Sequence, residues 1–159
     1  MKQATADRAR SAPGTATTLP RQAAERLLRD VQADLDDYAV LADLLEQQFA
    51  GALQHDGTAL QALAERIVAV VERLDGRRQL RSELLARLAG SGGTADVAML
   101  LALWPSSGRA AVQALWERLE DAVRDCKERN LRNARLLTEQ QALFARVLHG
   151  PQDSLYANA

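Results

Sequence analysis

Residues Arg109–Leu148, RAAVQALWERLEDAVRDCKERNLRNARLLTEQQALFARVL, contain neither proline nor glycine. Within them Val112, Trp116, Leu119, Val123, Cys126, Asn130, Asn133, Leu137, Gln140, Phe144 and Val147 recur at alternating steps of four and three. That is the period of a coiled-coil seam and not the alternation of a strand. The spacing predicts one helix, about 60 Å long at about 1.5 Å per residue. So long a helix with one apolar stripe needs another helix along it, and part of its surface is left for a partner. Ser106 and Ser107 follow Pro105 as candidate caps at its start, and Gly150 and Pro151 stop it.

In the middle of the seam the stripe turns from apolar to amide at Asn130 and Asn133, with Gln140 two turns later. Two compatible roles are open to these side chains. They can hydrogen-bond across a helix pair and fix its register, or they can mark where the helix stops packing on its own chain. Cys126 lies in the same seam and reads as a structural thiol. Beyond the amides, Leu136, Leu137, Leu143, Phe144, Val147 and Leu148 make more apolar surface than one antiparallel helix covers. Either the first or the third helical segment lies over it, or it is a groove for an amphipathic helix from another protein.

Outward from this helix, the rest of the chain reads as helical. Ala24, Leu28, Val31, Leu35, Tyr38, Ala42, Leu45, Phe49 and Ala52 keep the four-three rhythm, after Thr18 as a cap and Pro20 in the first turn. Leu27, Val40, Leu41, Leu44 and Leu53 broaden that stripe, so this helix can touch more than one neighbour. Gln54–Thr58 is a tight reversal with Asp56 and Gly57 as turn residues and Asp56 or Thr58 as the next cap. The segment Ala59–Ala89 carries a stripe that lapses around Gly76, which predicts a continuous but locally weak helix. Gly90–Gly93 is a loop, and Thr94 caps a short apolar helix ended by Trp104–Pro105. The expected fold is all-α: an elongated antiparallel hairpin or bundle of three long helices plus one short helix. Its domain is expected over 19–150, between a disordered extension at 1–18 and a flexible tail at 151–159.

Composition narrows the function. Of the 47% hydrophobic residues much is alanine, and only 4% of the chain is aromatic, which fits thin helix seams and not a deep core. The net charge of -1 gives no bulk field for nucleic acid or an anionic membrane. The arginines at 66, 73, 77, 78, 81 and 87 are interleaved with Glu65, Glu72, Asp75 and Glu83, which reads as a salt-bridged surface. No run approaches a spanning length, no secretory signal is visible, and one cysteine suits a reducing cytoplasm. His55 lies in a turn and His149 at a helix end. Acid pairs such as Asp36–Asp37 read as solvated, and no metal, cofactor or catalytic motif is present. The expected protein is a non-enzymatic, cytoplasmic interaction protein.

Three pieces of the chain resemble the FlgN family of flagellar export chaperones: DVQADLDDYAVLADLLEQQFAGALQHDGTALQAL, ALWERLEDAVRDCKERNLRNARLL and the closing SLYANA. The middle piece carries the family's aromatic-containing helix entering Cys-x-x-x-Asn-x-x-Asn, at Cys126, Asn130 and Asn133. The resemblance implies a chaperone of flagellar type III secretion that holds the C-terminal helices of the hook-filament junction proteins FlgK and FlgL. It places client binding on the apolar end at Leu136, Leu137, Gln140, Leu143, Phe144, Val147 and Leu148. It implies that Tyr156 docks at the export gate FlhA. The family often has glycine where Ala134 stands, which implies a straighter helix here. The competing expectation is a coiled-coil adaptor that forms a homodimer through its spare seam.

Overall fold

The computed structural model describes residues 18–90 and 96–149. These residues form four helices and no strand: α1 (Arg21–Leu53), α2 (Gly57–Ala89), α3 (Val97–Leu103) and α4 (Arg109–His149). The all-α expectation of three long helices and one short one is what the chain adopts. Expectations that fall on 1–17, 91–95 and 150–159, including those for Thr94 and Tyr156, lie outside the described residues.

α1 is the shared partner. Both α2 and α4 pack along it, whereas α2 and α4 share no comparable interface. Cross-helix contacts fix the directions. Arg73 reaches Asp37 while Arg81, further along α2, reaches back to Asp34, so α2 runs antiparallel to α1. Cys126 meets Tyr38, Asn133 meets Leu45 and Gln140 meets Ala52, so α4 runs parallel to α1. Successive long helices therefore alternate as the short loops predict, but α4 lies on α1 and not on α2. The reason is the breadth of the α1 stripe: Leu27, Leu41 and Leu44 are buried as well as Val31 and Leu45. Two apolar lines on one helix bind two neighbours. Val40 and Leu53 of the same broad set remain exposed, as does Leu28.

The core falls into two clusters. Leu41, Leu44, Leu45, Leu63, Val70, Leu74 and Cys126 fill the middle. Leu19, Ala24, Leu27, Leu85, Leu100 and Trp104 close the end where α3 folds over the long helices. The Leu19 N–H donates to the Leu103 carbonyl at 3.0 Å, tying the entry of α1 to α3. Asp96 caps α3 by accepting from the Met99 N–H at 2.8 Å. Arg109 donates to the Trp104 carbonyl at 2.9 Å. At this corner Gly108 passes so near the Trp104 indole that a Cβ would lie 3.2 Å from its nitrogen. α4 starts at Arg109, past the Ser106–Ser107 pair expected to cap it, on a turn closed by the Gly108 N–H donating to the Pro105 carbonyl.

Two other ends differ from expectation. Thr18 does not cap α1; Pro20 occupies the cap position with no side-chain bond. The α1–α2 reversal ends in paired bonds, His55 N–H to the Ala52 carbonyl and Asp56 N–H to the Gly51 carbonyl, with His55 at φ 54 in the left-handed region. His55, not Gly57, is the residue that turns the chain. Gly57 opens α2, and Asp56 caps it by accepting from the Ala59 N–H. α2 passes unbroken through Gly76.

Charge clamps α1 to α2. The Asp34 carboxylate is 1% exposed and accepts from Arg77 on one oxygen and from Arg81 on the other. Asp37 accepts from Arg73 and Arg77. These arginines thus pair across the helix interface and not with their own helix as expected, and Asp37 is not solvated. Only exposed members such as Arg78 with Asp75 and Arg87 with Glu83 pair locally. Removing one member of a buried ion cluster strands the others. Asp34→Asn should lower the urea-unfolding free energy by about 3–5 kcal/mol, whereas Asp121→Asn, in an exposed pair with Arg124, should change it by less than about 1 kcal/mol.

The hydrogen bond from Arg73 holds the Asp37 carboxyl below the usual carboxylate range, with Arg77 adding to it against the effect of burial. A depressed folded value gives stability that is present above the unfolded carboxylate value and lost as pH falls through the folded one. Thermal unfolding followed downward from neutral pH should therefore show a drop beginning near about pH 4, and Asp37→Asn should make it shallower.

Candidate functional site

α4 is held to α1 by a line of polar side chains that donate to backbone carbonyls. The Cys126 thiol lies 3.5 Å from the Tyr38 carbonyl oxygen. Asn133 Nδ2 donates to the Leu45 carbonyl at 2.7 Å and to Gln48 Oε1 at 2.9 Å. Gln140 Nε2 donates to the Ala52 carbonyl at 2.8 Å. Both helices advance seven residues at each step, and each carbonyl has a second lone pair beside its helical bond. Burial pushes the Cys126 thiol up from its ordinary value, keeping it protonated and able to donate. One flank is closed by Arg132, whose guanidinium lies 3.9 Å from the Phe49 ring centroid and bonds Glu46 at 2.9 Å.

Asn130, expected in this seam, is exposed. The four-three alternation contains two lines, and among the described residues α4 packs at this level chiefly on α1. The line Leu119, Cys126, Asn133 and Gln140 faces α1, while Asn130, Leu137 and Phe144 fall at its edge or outside it. Gln48, Glu46 and Arg132 belong to the polar line and carry no periodic signal of their own.

The constant offset of 88 residues between the bonded pairs sets Leu53, the last residue of α1, level with Gln141. α4 therefore outruns its partner by about two turns. Leu136 and Leu137 are half-buried, and from Gln141 to Leu148 every side chain is exposed. Leu143 is 58% exposed, Phe144 54%, Val147 68% and Leu148 71%, with Leu53 of α1 at 55% beside them. His55 touches Phe144 edge to face, centroids 5.9 Å apart. The expected apolar end residues thus lie on one stretch of α4 that begins one turn after Asn133. A contiguous exposed apolar row is the mark of a surface that meets another protein.

Among the described residues no group of three His, Cys, Asp or Glu side chains is placed to hold a metal, and no helix is long and apolar enough to cross a membrane. The sequence pattern of the FlgN protein family matches residues 23–154, which takes in the whole polar line and the four helices apart from the first two residues of α1. The chain belongs to the FlgN family. FlgN proteins are flagellar export chaperones and not enzymes. No curated protein and no solved structure shows significant similarity to the chain. Tyr156 lies beyond the FlgN match.

The two FlgN-type asparagines should behave differently. Asn133→Ala strips a buried donor from two acceptors and should lower stability by about 1–3 kcal/mol. Asn130→Ala should stay within about 0.5 kcal/mol, both measured by urea unfolding at neutral pH.

Proposed function

We propose that this FlgN-family chain is a cytosolic chaperone that binds the amphipathic C-terminal helices of the hook-filament junction proteins FlgK and FlgL. The contact is made by Leu136, Leu137, Leu143, Phe144, Val147 and Leu148, with Gln140, whose amide is bonded to the Ala52 carbonyl, at its inner edge. The observation that carries this reading is the apolar row of α4 that continues past the end of α1, exposed on a helix whose earlier turns are hydrogen-bonded to α1. An amphipathic helix laid on that row buries both apolar faces. Its action is mass action: a cargo segment so bound is withdrawn from premature assembly in proportion to its occupancy. Release then occurs at the export gate FlhA, with Tyr156 as the docking contact. Both rest on the resemblance of the closing SLYANA to the family's tail.

Calorimetry against the C-terminal segments of FlgK and FlgL from the same organism tests the reading. Saturable binding with a negative heat-capacity change is expected, because apolar surface is buried. Leu143→Asp combined with Phe144→Asp, at positions already open to water, should leave helicity intact. That variant should weaken binding by more than about tenfold. Unchanged affinity would place the cargo elsewhere, and a concentration-dependent dimer abolished by the same variant would show that the row serves self-association.

A further inference from the structure

The open end of α4 is the α1 seam carried past the end of α1. At about 100° per residue, Val147 falls within about 20° of Gln140 around the helix. It therefore continues the line Cys126, Asn133 and Gln140, which is bonded to α1 wherever α1 runs alongside. Leu143 lies to one side of that line, and Phe144 and Leu148 lie to the other. The opposite side of the same turns carries Ala142, Ala145 and Arg146. The exposed apolar arc is thus centred on the direction in which α1 would lie if it were two turns longer.

The near limit of this open track is the α1–α2 turn. Leu53 stands there exposed, and the His55 ring meets Phe144 edge to face at 5.9 Å. His55 holds a positive φ of 54, a conformation that glycine adopts without steric cost. The bonds that close the turn, from the His55 and Asp56 N–H groups to the Ala52 and Gly51 carbonyls, are all backbone. What the His55 side chain supplies is its contact with Phe144. The track itself, Gln141 to His149, is about 13 Å long and one helix, about 10 Å, wide. A strip of that size falls short of the roughly 800 Å² per partner that a stable dimer buries, and a convex helix face encloses no small ligand.

We propose that the cargo helix takes the place of α1 along α4: it lies end to end with α1, centred on Val147, and stops against Leu53 and His55. The proposal rests on the chaperone reading and deepens it by fixing the cargo's track, the length of its footprint and the residue that positions it. The track continues an interface that already accepts a helix, so a helix is the shape it fits. Its length sets a footprint of about two turns, met by cargo apolar residues spaced i, i+3 or i+4, and i+7. Because α1 fills the next turn, that apolar segment stands at one end of the cargo helix or at a break in it. His55 is a positioning residue. Its ring holds one side of Phe144, which reduces the side-chain freedom lost on binding, and the turn sets an axial stop that non-directional apolar contact does not supply.

Calorimetry of the full chain against the same C-terminal cargo segments tests this with a matched pair of substitutions. Val147→Lys, on the α1 line, should weaken binding by more than about tenfold, whereas Ala142→Lys, on the opposite side of α4, should leave it within about twofold. His55→Gly should keep or raise the thermal midpoint, because glycine suits the left-handed position, yet weaken binding about three- to tenfold. His55→Phe, which keeps an aromatic ring, should bind within about twofold of the unsubstituted chain. The amide resonances of Leu53 and His55 in the labelled chain should shift as cargo is added. All these positions are exposed, and circular dichroism confirms that each variant is still helical. Equal losses from the two lysines, undiminished affinity in His55→Gly, or unmoved Leu53 and His55 resonances would each overturn the proposal while leaving the chaperone reading. An absence of binding heat in the unsubstituted chain would overturn both. A dimer that forms without cargo and is lost in Val147→Lys would show a second copy on the track and overturn the proposal.

Discussion

Three side chains at heptad spacing, Cys126, Asn133 and Gln140, reach backbone carbonyls at matching heptad spacing on α1, and the arrangement of α4 depends on them. Leucine and alanine stripes are nearly indifferent to sliding by one heptad, because apolar contact is non-directional. Hydrogen bonds are not. A slip of seven residues would still set a backbone carbonyl opposite Asn133, but it would part Asn133 from Gln48 and Arg132 from Glu46, and a buried polar group left unpaired costs about 1–3 kcal/mol. The amides therefore convert a general helix affinity into one offset. That offset leaves the last turns of α4 beyond the end of α1, where among the described residues their apolar face is exposed but for the edge contact of His55 with Phe144.

The α1–α2 contact is specified by different chemistry to the same end. Asp34 sits between Arg77 and Arg81 with almost no exposure, and Asp37 extends the network to Arg73. A buried ion cluster contributes less to net stability than an apolar replacement of equal volume, but it strongly penalises the wrong pairing. With only two thin core clusters, such pairing restricts the chain to one arrangement. α1 carries a polar register device on each of two faces. It is thus the scaffold on which both α2 and α4 are placed.

The long helices were legible because their apolar period is sustained over many turns, and the apolar end of α4 was legible because its stripe outlasts what one neighbour can bury. The neighbour itself was not. Short loops indicate antiparallel succession, which holds, yet say nothing about which earlier helix receives α4, and the answer lay in Leu27, Leu41 and Leu44 widening the α1 stripe. The role of Asn133 was readable from its seam position, but that of Asn130 depends on how many helices surround α4 at that level. Asp34 carried a signal that went unread: it continues the line Leu27, Val31, Asp34, Tyr38 and Leu41 at four-three steps, opposite arginines spaced one turn apart. Caps were the least legible, since Thr18 and Ser106 have the right chemistry where the backbone has already turned elsewhere, and His55 takes a left-handed position that glycine usually fills.

Amide hydrogen exchange along α4, with and without a C-terminal cargo segment, tests most directly whether a fixed spine presents an open end. Slow exchange around Asn133 in both states, with fast exchange from Gln141 to Leu148 that slows when cargo is added, is the predicted result. Equal protection along the whole of α4 in the free chain, or an end that stays fast when cargo is bound, would contradict it.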